Sequence, residues 1–314
     1  ILDNNPLSVG VVGTYSRRSA NQVVAEADLV IFVGTRAGGM TTHFWTIPAK
    51  GTSTIQIDID PLVNGRNYPT DVSIVGDARV TLEKMNELNI PVPKERVEWL
   101  KQVKAICTSY KIDFKEVYES DAYPIRPERI VNELSNGMPK NAVIVVDTGH
   151  SGMWMGGMFE KRHEGQSYIR SAGHLGWAFP AALGAKCGAP HRPVVCFMGD
   201  LGFWYHMAEV ETAVRAGINT ITIINNNNSG NMAKGSISAI YDDQPTKESQ
   251  DIWVQNKINF AKIAENMGAI GIRVEKANEI APAFQKALKL DKPVVIDIAT
   301  DIEIVAPKAW EPKA

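Results

Sequence analysis

Residues 194–202 read VVCFMGDLG and residues 220–228 read TITIINNNN. Each stretch is a short apolar run that breaks abruptly into polar residues. Uninterrupted Val and Ile runs suit parallel strands covered by helices on both faces. Residues 207–216 between them carry a helical pattern, so the block reads as strand, helix, strand with a right-handed crossover. Ligands of such sheets bind beyond the carboxyl ends of the strands. There the first run ends in Asp200 and the second, 27 residues later, in Asn227.

The same alternation extends in both directions. Strands are expected at 142–147, 194–198, 220–225, 270–274 and 294–299, and helices at 128–135, 177–187, 207–216, 260–267 and 280–288. Upstream, residues 21–27 predict a helix, 28–34 (DLVIFVG) a strand, 52–60 (TSTIQIDID) a second strand and 76–88 a helix. Residues 94–119 are mostly helical, with Trp99, Val103, Ile106 and Tyr110 at helical spacing. The segment 121–127 (DAYPIRP) ends that pattern with two prolines and sets a domain boundary. The predicted fold is α/β, with two parallel-sheet, three-layer domains at 1–120 and 121–314. Residues 244–250 are polar and predict a mobile loop near the site.

Composition narrows the function. A net charge of -2 offers no electrostatic basis for binding nucleic acid or an anionic membrane. The longest apolar runs have strand length and are too short to span a bilayer. Three cysteines without CxxC spacing suggest reduced thiols in a cytoplasmic protein, and nothing at the amino end reads as a signal peptide. The chain begins at Ile1 and runs directly into PLSVG, which predicts a start inside a domain.

An Asp carboxylate, an Asn amide oxygen and a loop carbonyl are the hard donors that Mg²⁺ or Ca²⁺ prefers. Magnesium takes part of its octahedron from phosphates, and a diphosphate would supply two oxygens. A helix opening after Gly202 would turn backbone N–H groups toward that anion. Gly-Asp after a strand is by itself an ordinary turn. The spacing of strand, GDxG, helix, strand and paired Asn is more specific.

Residues 199–231 resemble the signature of thiamine diphosphate (ThDP)-dependent enzymes, GDG followed after about 25 residues by NN, and Glu209, Thr212, Arg215 and Gly217 match within the intervening helix and turn. The wider chain resembles the acetohydroxyacid synthase (acetolactate synthase) branch. Residues 6–13 (PLSVGVVG), 28–36 (DLVIFVGTR), 57–67 (IDIDPLVNGRN) and 75–78 (VGDA) are similar to its central domain. Asp147, Thr148, Gly149 and His150, followed by Met153 and Trp154, resemble its cofactor loop. Residues 173–185 (GHLGWAFPAALGA) resemble the segment beside the aminopyrimidine.

The resemblance implies Asp200 and Asn227 as side-chain metal ligands, with Ser229 contributing its carbonyl and Gly230 following in the same loop. It sets Asp147, Thr148, Gly149, His150, Leu201 and Gly202 along the diphosphate. Gly173 would accept the 4′-amino group through its carbonyl, with His174 beside it, and Leu175 would sit under the bend of the cofactor. Apart from the motif, Leu175 reads as a core leucine and the two histidines as unspecialised. Leu201 departs from the motif, standing where a glycine is usual, which predicts local backbone strain. Matching Met232 to the family's methionine sets Ser236 where the branch carries a tryptophan that shapes the substrate pocket.

The implied function is decarboxylation of a 2-keto acid, or C–C cleavage and ligation next to a carbonyl. The glutamate that activates the cofactor lies, in this family, in an amino-terminal pyrimidine-binding domain reaching across a homodimer or homotetramer. No segment here resembles that domain, so no catalytic acid or base is assigned in this chain. Two alternatives remain: an oxidase that also binds FAD near 34–36 and 58–60, or a subunit inactive without a separate pyrimidine-binding chain. The absence of a GxGxxG after a strand argues against a NAD-dependent dehydrogenase.

Overall fold

The computed structural model describes residues 1–171, 173–244 and 246–312. The chain divides into two compact units, one of Pro6–Asp113 with Lys308–Ala314, the other of Ile1–Asn5 with Phe114–Pro307.

The first unit contains α1 (Arg18–Glu26), β1 (Leu29–Val33), β2 (Ser53–Asp58), β3 (Val72–Val75), α2 (Ala78–Glu87) and α3 (Lys94–Asp113). Its strands form a parallel sheet in the order β1-β2-β3. The central strand is buried at Thr54, Gln56 and Ile57, whereas Leu29 and Ile31 on β1 and Val72 and Val75 on β3 are exposed. Gln56 ties the strand ends together, donating to the Thr35 carbonyl at 3.0 Å and accepting the Gly65 amide at 2.9 Å. Asp58 and Asp60 each accept an amide two residues ahead, the ordinary chemistry of Asx turns.

The second unit contains α4 (Lys115–Tyr118), α5 (Pro127–Gly137), β4 (Val143–Val146), α6 (His150–Met158), β5 (Ser167–Arg170), α7 (Ala178–Gly188), β6 (Val194–Gly199), α8 (Asp200–His206), α9 (Glu209–Ala216), β7 (Ile221–Asn226), α10 (Lys234–Ile240), α11 (Lys247–Asp251), α12 (Phe260–Asn266), β8 (Ile270–Val274), α13 (Ile280–Ala287) and β9 (Val294–Ala299). Six parallel strands run in the order β5-β4-β6-β7-β9-β8. Alternate strand residues feed two cores. Ile144, Val146, Phe197, Ile223, Ile296 and Ile298 pack with α5, α6 and α13 on one face. Val143, Val145, Cys196, Met198, Ile224 and Val295 pack with α7, α9 and α12 on the other. This is the expected three-layer parallel architecture.

The chain leaves β4 outward to β5 and returns to β6 on β4's opposite side, so the strand order reverses between β4 and β6. Such a reversal opens a crevice at the carboxyl ends of the strands. Asp147 and Asp200 follow those two strands directly.

Several local expectations are corrected. The helix predicted after Gly202 opens at Asp200 as α8, and the helix predicted at 207–216 begins at Glu209 as α9. Leu201 lies within α8 and outside the left-handed region, so the strain expected there is absent. Within the predicted loop at 244–250, Pro245 lies outside the described residues, but α11 begins at Lys247. Thr246 caps it, its side chain accepting the Ser249 amide at 3.1 Å while Ser249 Oγ accepts the Thr246 amide at 2.9 Å. No described helix is long and apolar enough to cross a membrane.

Candidate functional site

Asp200 opens α8 directly after β6 and is 2% exposed. One carboxylate oxygen accepts the Leu201 amide at 2.7 Å, and the other accepts the Ser229 amide at 3.1 Å. Asn227 follows β7, buried, and its Oδ1 accepts the Ser229 amide at 3.1 Å and the Ser229 hydroxyl at 2.9 Å. Ser229 is therefore the meeting point of the two polar strand ends. Its neighbour Gly230 donates to the Trp253 carbonyl at 2.7 Å, which fastens the loop from outside.

The asparagines at 226–228 divide their work. Asn226 is buried and donates to Asp297 at 2.8 Å and to the Ile258 carbonyl at 2.9 Å. Asp297 also accepts Arg273 and the Phe260 amide, each at 2.7 Å. Asn228 adopts a left-handed conformation and accepts the Ile258 amide at 2.8 Å. These two residues fix the backbone, leaving Asn227 turned toward Asp200.

Burial pushes the Asp200 carboxyl up to about 6, opposed by the amides of Leu201, Ser229, Asn228 and Asn227. No group of three or more His, Cys, Asp or Glu among the described residues could hold a metal. A cation here would instead meet one carboxylate and neutral oxygens from Asn227 and Ser229. That donor set fits a hard divalent ion whose remaining ligands come from water or phosphate.

Among the other predicted residues, Asp147, Leu175 and Gly202 come together at the first turn of α8 and His150 bonds Asn231, while Gly173 and His174 stand exposed. Asp147 is fully buried, and its carboxylate accepts the Gly176 amide at 2.9 Å. Burial raises its pKa, while the Gly176, Thr148 and Ala178 amides and the His174 charge oppose the rise. Thr148 is buried beside it. Gly149 has φ +71° and leads into α6, and a Cβ placed there would lie 3.5 Å from Met232 Sδ. His150 Nδ1 meets Asn231 Oδ1 at 2.9 Å, and its ring lies edge-on to Trp154. Burial lowers the His150 pKa, with the Asn231 contact opposing, so the ring is neutral at neutral pH. Gly173 (φ +89°) and His174 are exposed. Leu175 Cδ1 lies 3.4 Å from where a Gly202 Cβ would stand.

Leu201, the departure from the motif, is accommodated by its neighbour. A Cβ at Gly230 would come within 3.1 Å of Leu201 Cδ2, so the leucine side chain occupies room that Gly230 leaves open. Sequence reasoning missed Gly176 and Asn231. Asn231 links His150 to the Ile302 and Ile304 carbonyls at 3.3 and 3.2 Å. A glycine in a GHLGW turn was the available signal for Gly176, whereas nothing local marks Asn231.

Two predictions follow from this geometry. Because the folded-state pKa of Asp200 is raised, its contribution to stability is full below the ordinary carboxyl range and is lost as pH rises through about 6. In metal-free protein, Asp200→Asn should therefore raise the thermal midpoint relative to the parent at about pH 8 and leave it little changed near pH 4. Melting curves at both pH values check this, and equal effects at the two would contradict it. Separately, Gly230→Ala should cost about 1–2 kcal/mol through crowding with Leu201. Leu201→Ala should recover most of that loss, measured as non-additivity in a urea double-mutant cycle.

Residues 147–298 match the family model described as "Thiamine pyrophosphate enzyme, C-terminal TPP binding domain", and residues 1–85 match "Thiamine pyrophosphate enzyme, central domain". A probable acetolactate synthase large subunit of Methanococcus aeolicus is 32% identical, over 96% of this chain and 52% of its own length. The putative thiamine pyrophosphate-containing protein YdaP of Bacillus subtilis is 32% identical, over 94% of this chain and 50% of its own length. The acetolactate synthase large subunit of Corynebacterium glutamicum is 31% identical, over 94% and 47% respectively. The chain spans about half the length of the curated relatives it matches. With both family models matching in order along one chain, and one of them beginning at the buried Asp147, the chain belongs to the thiamine pyrophosphate enzymes.

Proposed function

We propose that this chain supplies the diphosphate- and metal-binding part of a ThDP- and Mg²⁺-dependent, acetolactate synthase-like enzyme. The reaction class is decarboxylation of a 2-keto acid, or making or breaking a carbon–carbon bond beside a carbonyl. The observation that carries this reading is the Asp200 carboxylate, which is buried, hydrogen-bonded to amides and beside the Asn227 and Ser229 oxygens.

Asp200 and Asn227 would hold Mg²⁺ through their side chains and Ser229 through its carbonyl. Thr148, Gly149, His150 and Gly202 would line the diphosphate. Gly173 would accept the aminopyrimidine amino group, and Leu175 would support the bend between the rings. When bound, ThDP supplies the electron sink that decarboxylation and C–C chemistry need. This chain's residues bind and orient the cofactor. The carboxylate that assists the aminopyrimidine is assigned to an amino-terminal pyrimidine-binding domain contributed within a homo-oligomer. Neutral His150 can exchange hydrogen bonds at the site without adding positive charge. Ser236, exposed on α10, leaves room where the acetohydroxyacid synthases carry a tryptophan, so the substrate is named only by class.

Calorimetric titration tests the proposal. ThDP should bind far more tightly with Mg²⁺ than with EDTA, since the diphosphate and the protein share the ion. Asp200→Ala should abolish that difference while keeping the parent circular dichroism spectrum. Equal ThDP affinity in both conditions would overturn the metal assignment.

A further inference from the structure

We infer that Asp147 is a positioning residue for the aminopyrimidine side of the site, rather than a diphosphate ligand. This rests on the ThDP reading above and assigns one of its residues a different task. A carboxylate has the wrong sign for a diphosphate unless a metal lies between them. The Asp147 carboxylate is wholly buried; its Oδ2 accepts the Gly176 amide at 2.9 Å and the Thr148 and Ala178 amides lie close by, while Oδ1 makes no hydrogen bond among the described residues. Its interactions thus run to its own loop and to the entrance of α7.

Two glycines show how closely three loops meet at this carboxylate. Gly202, in the first turn of α8, faces Asp147 so directly that a Cβ there would overlap Asp147 Oδ2. Gly176 holds φ +84°, and a Cβ there would come within 2.7 Å of Tyr205 Cβ and 2.9 Å of the Gly202 carbonyl oxygen. The loops after β4 and β6 and the turn before α7 are therefore clamped together at Asp147, Gly202 and Gly176. Leu175 immediately precedes the bonded Gly176 amide, with its Cδ1 3.4 Å from the Gly202 Cβ position. Gly173, at φ +89°, begins the same turn. Holding the Gly176 amide fixes the path of residues 173–176, and with it the Gly173 carbonyl and the Leu175 side chain. In this arrangement the last glycine of GDxG is required by the carboxylate behind it.

The assignment separates two ligands that share the diphosphate. Inorganic pyrophosphate with Mg²⁺ probes Asp200, Asn227 and Ser229 together with the residues lining the diphosphate, whereas ThDP with Mg²⁺ also engages residues 173–175. Both are titrated calorimetrically into the parent protein, Asp147→Asn, Asp147→Ala, Leu175→Ala and the Asp147→Asn/Leu175→Ala double variant. Asp147→Ala should weaken ThDP about tenfold or more, the scale of a lost hydrogen bond to a charged group, and weaken pyrophosphate much less. Asp147→Asn, which keeps one oxygen for the Gly176 amide, should recover part of the loss and supplies the measurement if the alanine variant does not fold. The double variant should lose less than the sum of the single losses, because Asp147 acts through the segment that carries Leu175. Parallel loss of both ligands, or unchanged ThDP affinity in both Asp147 variants, would overturn the assignment of Asp147 alone. A parent protein that binds neither ligand would overturn the ThDP reading together with it.

Discussion

The Asp200 carboxylate is almost completely buried at the end of β6, held by peptide amides, and its pKa is pushed up to about 6. Ionising a carboxyl under those conditions costs on the order of 3 kcal/mol relative to water. A domain that needed only stability would do better with an apolar or amide side chain. In the proposed function a cation offsets that cost, beside the neutral oxygens of Asn227 and Ser229. Much of the surrounding structure serves to keep these groups in place.

That service is visible in the sheet. β6 and β7 are paired in register, Gly199 opposite Asn225, so the two polar ends emerge side by side. Asn226 is anchored below by Asp297, which Arg273 and the Phe260 amide hold in turn. Ser151, in the first turn of α6, lies 3.4 Å from where a Gly199 Cβ would stand, and Met232 lies against Gly149. Each loop is thus pinned by a neighbour that belongs to a different strand-to-helix connection. Rigid placement of this kind is what a metal–diphosphate centre requires, because a misplaced ligand forfeits the ion.

Legibility in the sequence followed burial pattern. β4, β6, β7 and β9 are covered on both faces, and their runs rich in Val and Ile made them readable as parallel strands. Parallel three-layer architecture followed from those runs and the helices between them. α6 escaped notice because Ser151, Gly152, Trp154, Met155, Gly156, Gly157 and Met158 are all buried, leaving no polar stripe to reveal its period. β5 is an edge strand mixing Ser167, Tyr168 and Arg170, with no apolar run. At the site, the convergence of Asp200 and Asn227 on Ser229 was legible through spacing. Leu201 was misjudged as strained because α8 opens at Asp200, which gives Leu201 a right-handed backbone, and its side chain uses room left by Gly230, 29 positions away in the chain. Asp147 was recognisable as part of a loop, but the direction of its carboxylate is set by the Gly176 amide, a tertiary contact no local pattern encodes.

The central claim is that Asp200, Asn227 and Ser229 form a divalent-metal centre that closes on a diphosphate. Anomalous diffraction from crystals grown with Mn²⁺ and ThDP addresses it most directly. The account predicts one strong peak within coordination distance of the Asp200 carboxylate, the Asn227 amide oxygen and the Ser229 carbonyl, joined to the diphosphate. Bound ThDP with no peak at Asp200, or with the ion held by other residues, would contradict it.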